Sequence, residues 1–210
     1  MKKIFINEKE FTYNKISELP LKEFNIVVGK KTTFGNKCFL QNSISIANNC
    51  QIGNFVSFDR HVSIGSNCKI GDYVTIGKFS TILKDCIIEK DSHIANSVFI
   101  EENNLIGTYC KIQDYVIVEK ESKIESHTMI HSGCRIVSGS IVSKAIYIQL
   151  SNLLYSVHQY ADMIQIGCKV YPIDFWVKNY KNIGKKQKAP EEVIKKYGKV
   201  ILFLKNFSKK

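Results

Sequence analysis

A large apolar residue returns at every sixth position from Val28 to Ile148, and few folds can accommodate that rhythm. Stepping by six from Val28 gives Phe34, Leu40, Ile46, Ile52, Phe58, Ile64, Ile70, Ile76, Ile82, Ile88, Ile94 and Ile100. It continues through Ile106, Ile112, Val118, Ile124, Ile130, Ile136, Val142 and Ile148. With 44% of residues apolar, chance would give such a run less than about once in ten million registers. A period of six matches neither the 3.6-residue helix nor the two-residue alternation of a half-buried strand. It matches a short strand followed by a corner. Three such units close an 18-residue triangular coil, and successive coils stack at strand spacing.

The position four residues after each aliphatic also points inward, close to the corner, where room is limited. It holds Cys38, Ile44, Cys50, Val56, Val62, Cys68, Val74, Ser80, Cys86, Ser92 and Val98, then Asn104, Cys110, Val116, Ser122, Thr128, Cys134, Ser140 and Ile146. Six of the seven cysteines fall in this series, and Cys50, Cys68 and Cys86 are expected in one stacked column continued by Asn104. A reduced cysteine packs as a small hydrophobe, which explains these positions without disulfide, metal or nucleophile. No CxxC or Cys/His cluster has ligand spacing.

The residue after the aliphatic is often glycine, as at Gly53, Gly65, Gly71, Gly77 and Gly107. This Ile-Gly-x-x-(small)-x rhythm resembles the hexapeptide-repeat superfamily. The resemblance covers residues 28–148 and implies an all-β solenoid, a left-handed parallel β-helix of about seven 18-residue coils. An N-terminal hairpin cap over residues 1–27, the β-helix over 28–149 and a tail over 150–210 are the expected domains. In the cap, Ile4–Ile6 and Phe11–Tyr13 flank Asn7-Glu8-Lys9-Glu10, a hairpin pattern. In the tail, 150–171 reads as irregular strands, Pro172 to Asn182 as a short helix with Trp176, and Lys185 to Lys188 as a linker. Pro190-Glu191-Glu192 then opens a helix to about Phe207, with proline and acids in its first turn and lysine in its last.

The net charge of +11 is concentrated at one end. Residues 169–210 hold twelve lysines against Asp174, Glu191 and Glu192, leaving +2 for all the rest. In the last helix Val193, Ile194, Val200, Ile201 and Leu204 interleave with those lysines, the pattern of an amphipathic docking helix rather than a nucleic-acid arm. The N-terminal apolar run is too short for a signal peptide and no run reaches membrane-spanning length. A cytoplasmic protein is expected.

Outward strand positions are apolar on two faces: Leu83, Phe99, Ile117 and Val137 on one, Ile87, Leu105 and Ile141 on the other. Such columns mark interfaces; a homotrimer over one face and the tail over the other are expected. The family resemblance also implies a trimer and acyl transfer from acetyl-CoA or another acyl-CoA to a sugar or nucleotide-sugar hydroxyl or amine, with a histidine at a coil edge as the base. A histidine titrates near neutrality and suits that task. His127-Thr128-Met129-Ile130-His131-Ser132-Gly133-Cys134 resembles the His-x-(small)-His-x-Cys stretch of sugar and lipid-A-type members, so His127 and His131 are the candidate catalytic residues. His131 stands one place earlier than the family's usual histidine, no insertion loop interrupts the repeat, and the glycine-x-proline-alanine element that often follows the last coil is missing. His93, His127 and His131 lack the spacing of the zinc-binding carbonic anhydrases of this fold, so no metal is expected. The alternative is a non-catalytic trimeric binder or scaffold holding an anionic small molecule such as a nucleotide. The tail around Ile166-Gly167-Cys168-Lys169 and Trp176 is similar to tails of uncharacterised phage-encoded hexapeptide-repeat proteins.

Overall fold

The computed structural model describes residues 1–143, 145–148, 155, 157–160 and 163–207. Two strands, β1 (Lys2–Ile6) and β2 (Lys9–Tyr13), form an antiparallel hairpin. Twenty short strands follow, from β3 (Val27–Val28) to β22 (Ile141–Val142), three to a turn, so the solenoid makes between six and seven turns. Each strand pairs in parallel with the strand 18 residues away, as Thr75–Ile76 pairs with Ser57–Phe58 on one side and His93–Ile94 on the other. Three flat ladders result, called here sheets A, B and C. Sheet A carries the outward positions of Thr75 and His93, sheet B those of Thr81 and Phe99, and sheet C those of Lys69 and Ile87.

The six-residue period is the geometry of this coil. Every described side chain of the aliphatic series from Phe34 to Val142 is buried, as is every described one of the small series from Cys38 to Ser140. Strand N–H groups donate to the next coil, as Ser57 N to the Val74 carbonyl at 2.9 Å, and corner N–H groups donate to the previous one, as Phe55 N to Asn36 at 2.9 Å. The corners are conformationally costly. Seventeen non-glycine residues, every sixth from Lys31 to His127, have φ between 55 and 62°. Side chains other than Asn and Asp enter that region at a cost of about 1–2 kcal/mol each, and the coil-to-coil hydrogen bonds offset it.

The two ends close differently. At the start, β1 adds to sheet A in parallel with β5 (Cys38–Leu40) and drives Ile4 and Ile6 into the bore. At the other end, β23 (Ala145–Ile148), β24 (Val157–Tyr160), β25 (Met163–Ile166) and β26 (Lys169–Pro172) pair antiparallel, and β26 joins sheet B beside β21 (Arg135–Ile136). The expectation of irregular strands here gives way to a regular antiparallel sheet. Met163 and Val170 plug the bore, whereas Val157 and Ile164 face a second, smaller core.

That second core belongs to α1 (Ile173–Lys186) and α2 (Glu191–Phe207), which pack Ile173, Trp176, Tyr197, Val200, Ile201 and Leu204 together. The first helix runs on through Lys185 and Lys186, so the sequence-expected linker shrinks to a short turn. Its period continues because Tyr180 and Ile183 still find apolar partners in the second core. Among the described residues the tail roofs neither apolar column: Phe99, Ile87 and Ile141 remain 37%, 40% and 54% exposed. The tail continues sheet B and caps the bore instead of lying over a face. Ile148 and Ile146, the last members of their series, have side chains outside those described.

Candidate functional site

The histidines sit in distinct settings. His61 stacks on Phe79 with ring centroids 4.9 Å apart, and His93 projects outward from sheet A, hydrogen-bonded through Nδ1 to the Thr75 hydroxyl. His127 occupies the corner between sheets C and A in the left-handed conformation, with its ring 5.0 Å from that of Tyr109. His131 directly follows β20 (Met129–Ile130) and opens the corner between sheets A and B. The two sequence-expected catalytic residues therefore stand at opposite ends of one strand, on different corners, and do not form a pair. The side chain of His158 lies outside those described.

His131 is the half-buried member of the two. Burial lowers its pKa below the ordinary imidazole value, because the charged ring loses hydration there. A ring so placed is neutral at physiological pH and able to accept a proton. The local chain is held by Gln113, whose side-chain oxygen accepts from the Ser132 amide at 3.1 Å and the Ser132 hydroxyl at 3.3 Å.

Ser132 also lines a cavity of about 350 Å³ between the last coil, the β25–β26 turn and the two helices. Its walls include Tyr155, Ile166, Trp176, Tyr180, Ile183, Ile194 and Tyr197, with Cys168 and Lys169 among the polar contributors. The aromatic walls are anchored. Trp176 Nε1 donates to the Ile164 carbonyl at 2.6 Å, and the Tyr197 hydroxyl donates to the Tyr155 carbonyl at 3.0 Å and accepts from its amide at 2.7 Å. A pocket that is mainly apolar with a few polar groups is the usual form of a small-molecule site. His131 itself is not among the wall residues. Of these wall residues the sequence marks Gly167, Cys168, Lys169 and Trp176 only through the resemblance of the tail, and it marks none of the tyrosines, which converge from segments up to 42 residues apart.

Beside the cavity Cys134 is buried under Gln165, whose side-chain amide reaches its sulfur, and burial pushes the thiol up to about 12. Cys168 is the one exposed thiol. His93, His127 and His131 fall on different columns, and among the described residues no group of three His, Cys, Asp or Glu could hold a metal ion. No helix among them is long and apolar enough to cross a membrane.

The sequence profile of the GMPPB C-terminal domain matches residues 41–149, just over half of the chain. The chain belongs to that family. It is a hexapeptide-repeat left-handed β-helix. No match to a curated protein was found. Among solved structures it is similar to the UDP-N-acetylglucosamine acyltransferase of Francisella novicida, at 17% identity and a TM-score of 0.42, over 83% of this chain and 70% of that one. The Bacteroides fragilis enzyme of the same name shows 14% identity and a TM-score of 0.37 over 66% and 70%. The polySia-specific acetyltransferase NeuO shows 16% and 0.20 over 61% and 86%. Similarity at this level says nothing of what this hexapeptide-repeat chain acts on.

Proposed function

We propose that the chain is an acyltransferase that moves an acyl group from acetyl-CoA or another acyl-CoA to a sugar or nucleotide-sugar hydroxyl or amine. The observation that supports this most is a neutral, half-buried His131 one residue from an apolar cavity. In the proposed reaction the His131 imidazole takes the proton of the acceptor as its oxygen or nitrogen attacks the thioester carbonyl. The C–S bond then breaks, and the thiolate of CoA leaves and takes up a proton. The apolar walls suit an acyl chain, and Lys169 with the exposed Lys185 and Lys186 suits the phosphates of the donor. His127, stacked on Tyr109, is the second candidate base. The reading includes a cytoplasmic homotrimer joined through the Phe99 or the Ile87 column, with residues 28–149 as the scaffold and 1–27 and 150–210 as its closures.

Turnover of acetyl-CoA with a panel of sugar nucleotides tests it. His131→Ala should lower the rate by roughly a hundredfold to ten-thousandfold, with melting temperature and assembly unchanged. Loss in His127→Ala instead would move the base to the other corner. No turnover and no acetyl-CoA binding would overturn the proposal. The exposed lysines of α1, Lys178, Lys181, Lys185 and Lys186, favour a second reading, a non-catalytic binder of an anionic small molecule. That reading expects nucleotide binding that weakens with salt and no histidine dependence.

A further inference from the structure

The corner between sheets C and A carries a ladder of rings with one rung missing. Lys37, Phe55, Tyr73, Asp91, Tyr109 and His127 follow at 18-residue intervals, all with φ between 55 and 62°, so their side chains leave successive coils in the same direction. Backbone bonds lock the register: Asp91 N donates to the Asp72 carbonyl at 2.9 Å and Tyr109 N to the Lys90 carbonyl at 3.1 Å. Phe55 and Tyr73 stack at 4.8 Å with planes 4° apart, and Tyr109 and His127 at 5.0 Å and 10°. Between the two pairs stands Asp91, too short to continue the stack. Tyr73 and Tyr109, 55% and 49% exposed, therefore face each other across two coil spacings, roughly 9.6 Å.

Among the described residues the Asp91 carboxylate has no ion pair or side-chain hydrogen bond. At the other end of the ladder Lys37 Nζ lies 5.6 Å from the Phe55 ring centroid. The column thus already receives a cation on an open ring face.

We propose that the slot between Tyr73 and Tyr109 binds a guanidinium group, lying parallel to both rings as the missing rung with its fork on the Asp91 carboxylate. Midway, such a group stands about 4.8 Å from each ring, inside the roughly 6 Å reach of a cation–π contact. A planar guanidinium can stack on both faces and still meet a carboxylate in two parallel hydrogen bonds, which a lysine ammonium cannot do. The chain's own two arginines are elsewhere: Arg60 lies near Asp59, and Arg135 pairs with Glu119 at 2.5 Å. The group comes from another molecule. This site does not depend on the acyltransferase reading.

Calorimetric titration of the full chain with arginine amide tests the slot. Saturable binding is expected, weakened about tenfold or more in Asp91→Asn and in Tyr73→Ala or Tyr109→Ala, and at least tenfold weaker for lysine amide. Asp91→Tyr should fill the rung, since Tyr73 and Tyr109 show that tyrosine accepts this backbone, and should abolish binding without lowering the melting temperature. If that variant does not fold, Asp91→Asn and Asp91→Ser carry the same comparison. A one-arginine peptide that binds more tightly than arginine amide places the ligand on a protein partner; equal affinity places it on a small molecule, and both results uphold the site. Absence of saturable binding would overturn it. So would binding that the Asp91 variants leave unchanged, or tetramethylammonium binding as tightly as arginine amide, because that ion has no fork to offer.

Discussion

The coils and the C-terminal cap bury apolar side chains by different rules. In the coils each residue meets its counterparts one coil above and below, so one register decides the whole interior and the core is a single unbroken cluster. In the cap, an antiparallel sheet and two helices gather Trp176, Tyr197 and Ile201 into a core of their own. Repetition fills the bore with stacked, buried side chains. The roughly 350 Å³ cavity forms where repetition stops and unlike elements must meet. In this chain, then, stability belongs to the regular part and the candidate chemistry to its irregular end.

Thiol chemistry offers the sharpest way to break that contrast. Six coil cysteines are buried and Cys168 of the cap is exposed; burial pushes Cys38 up to about 11 and Cys134 to about 12. Native protein should react at Cys168 alone, with the other six labelled orders of magnitude more slowly, through unfolding. Fast native labelling of Cys50, Cys68 or Cys86 would remove the inward assignment.

Core truncations come next. Trp176→Ala should remove about 3–5 kcal/mol from the cap, so helical signal melts earlier while strand signal persists. Loss of both signals together would show that the two cores are one cooperative unit. Ile94→Ala should destabilise the coils by about 2–5 kcal/mol, whereas Lys78→Ala on the exposed face should be close to neutral, as denaturation midpoints would show.

A pair of glycines gives a smaller contrast. A Cβ on Gly65 would lie 2.5 Å from the backbone nitrogen of Lys84 in the next coil. Gly65→Ala should therefore cost about 1–3 kcal/mol. Gly133, at φ +70° with nothing within 4 Å of a Cβ, needs only the left-handed conformation its column grants Tyr115. Gly133→Ala should cost about 1 kcal/mol, and equal melting temperatures for the two variants would contradict the stacking.

The smallest effect is a pH dependence at His131. Its folded pKa lies below the unfolded value, so the unfolded chain binds the proton more readily. Stability is whole above about pH 6.5 and declines as pH falls from there through the folded pKa. His131→Gln should flatten that slope, visible in melts between pH 5 and 7.

The interior was legible because a period of six leaves one way to bury a series of twenty-one large apolar residues, and composition at the second inward position followed from lack of room. The left-handed corners were not legible. Asn49, Asn67 and Asp85 suit that backbone, but Phe55, Tyr73 and His127 adopt it only because neighbouring coils bond them into it. Of the site, His131 could be named from its motif, but its half-burial and its closeness to the cavity could not.

The sequence by itself therefore determined the solenoid, its register, its buried thiols and its helical end, all consequences of local pattern repeated at fixed spacing. Only the tertiary structure decided where the tail goes, that Tyr155, Trp176, Tyr180 and Tyr197 meet around one space, and that Asp91 interrupts two stacked pairs of rings. Those arrangements join residues with no shared period, and packing at a distance along the chain leaves no mark in local pattern.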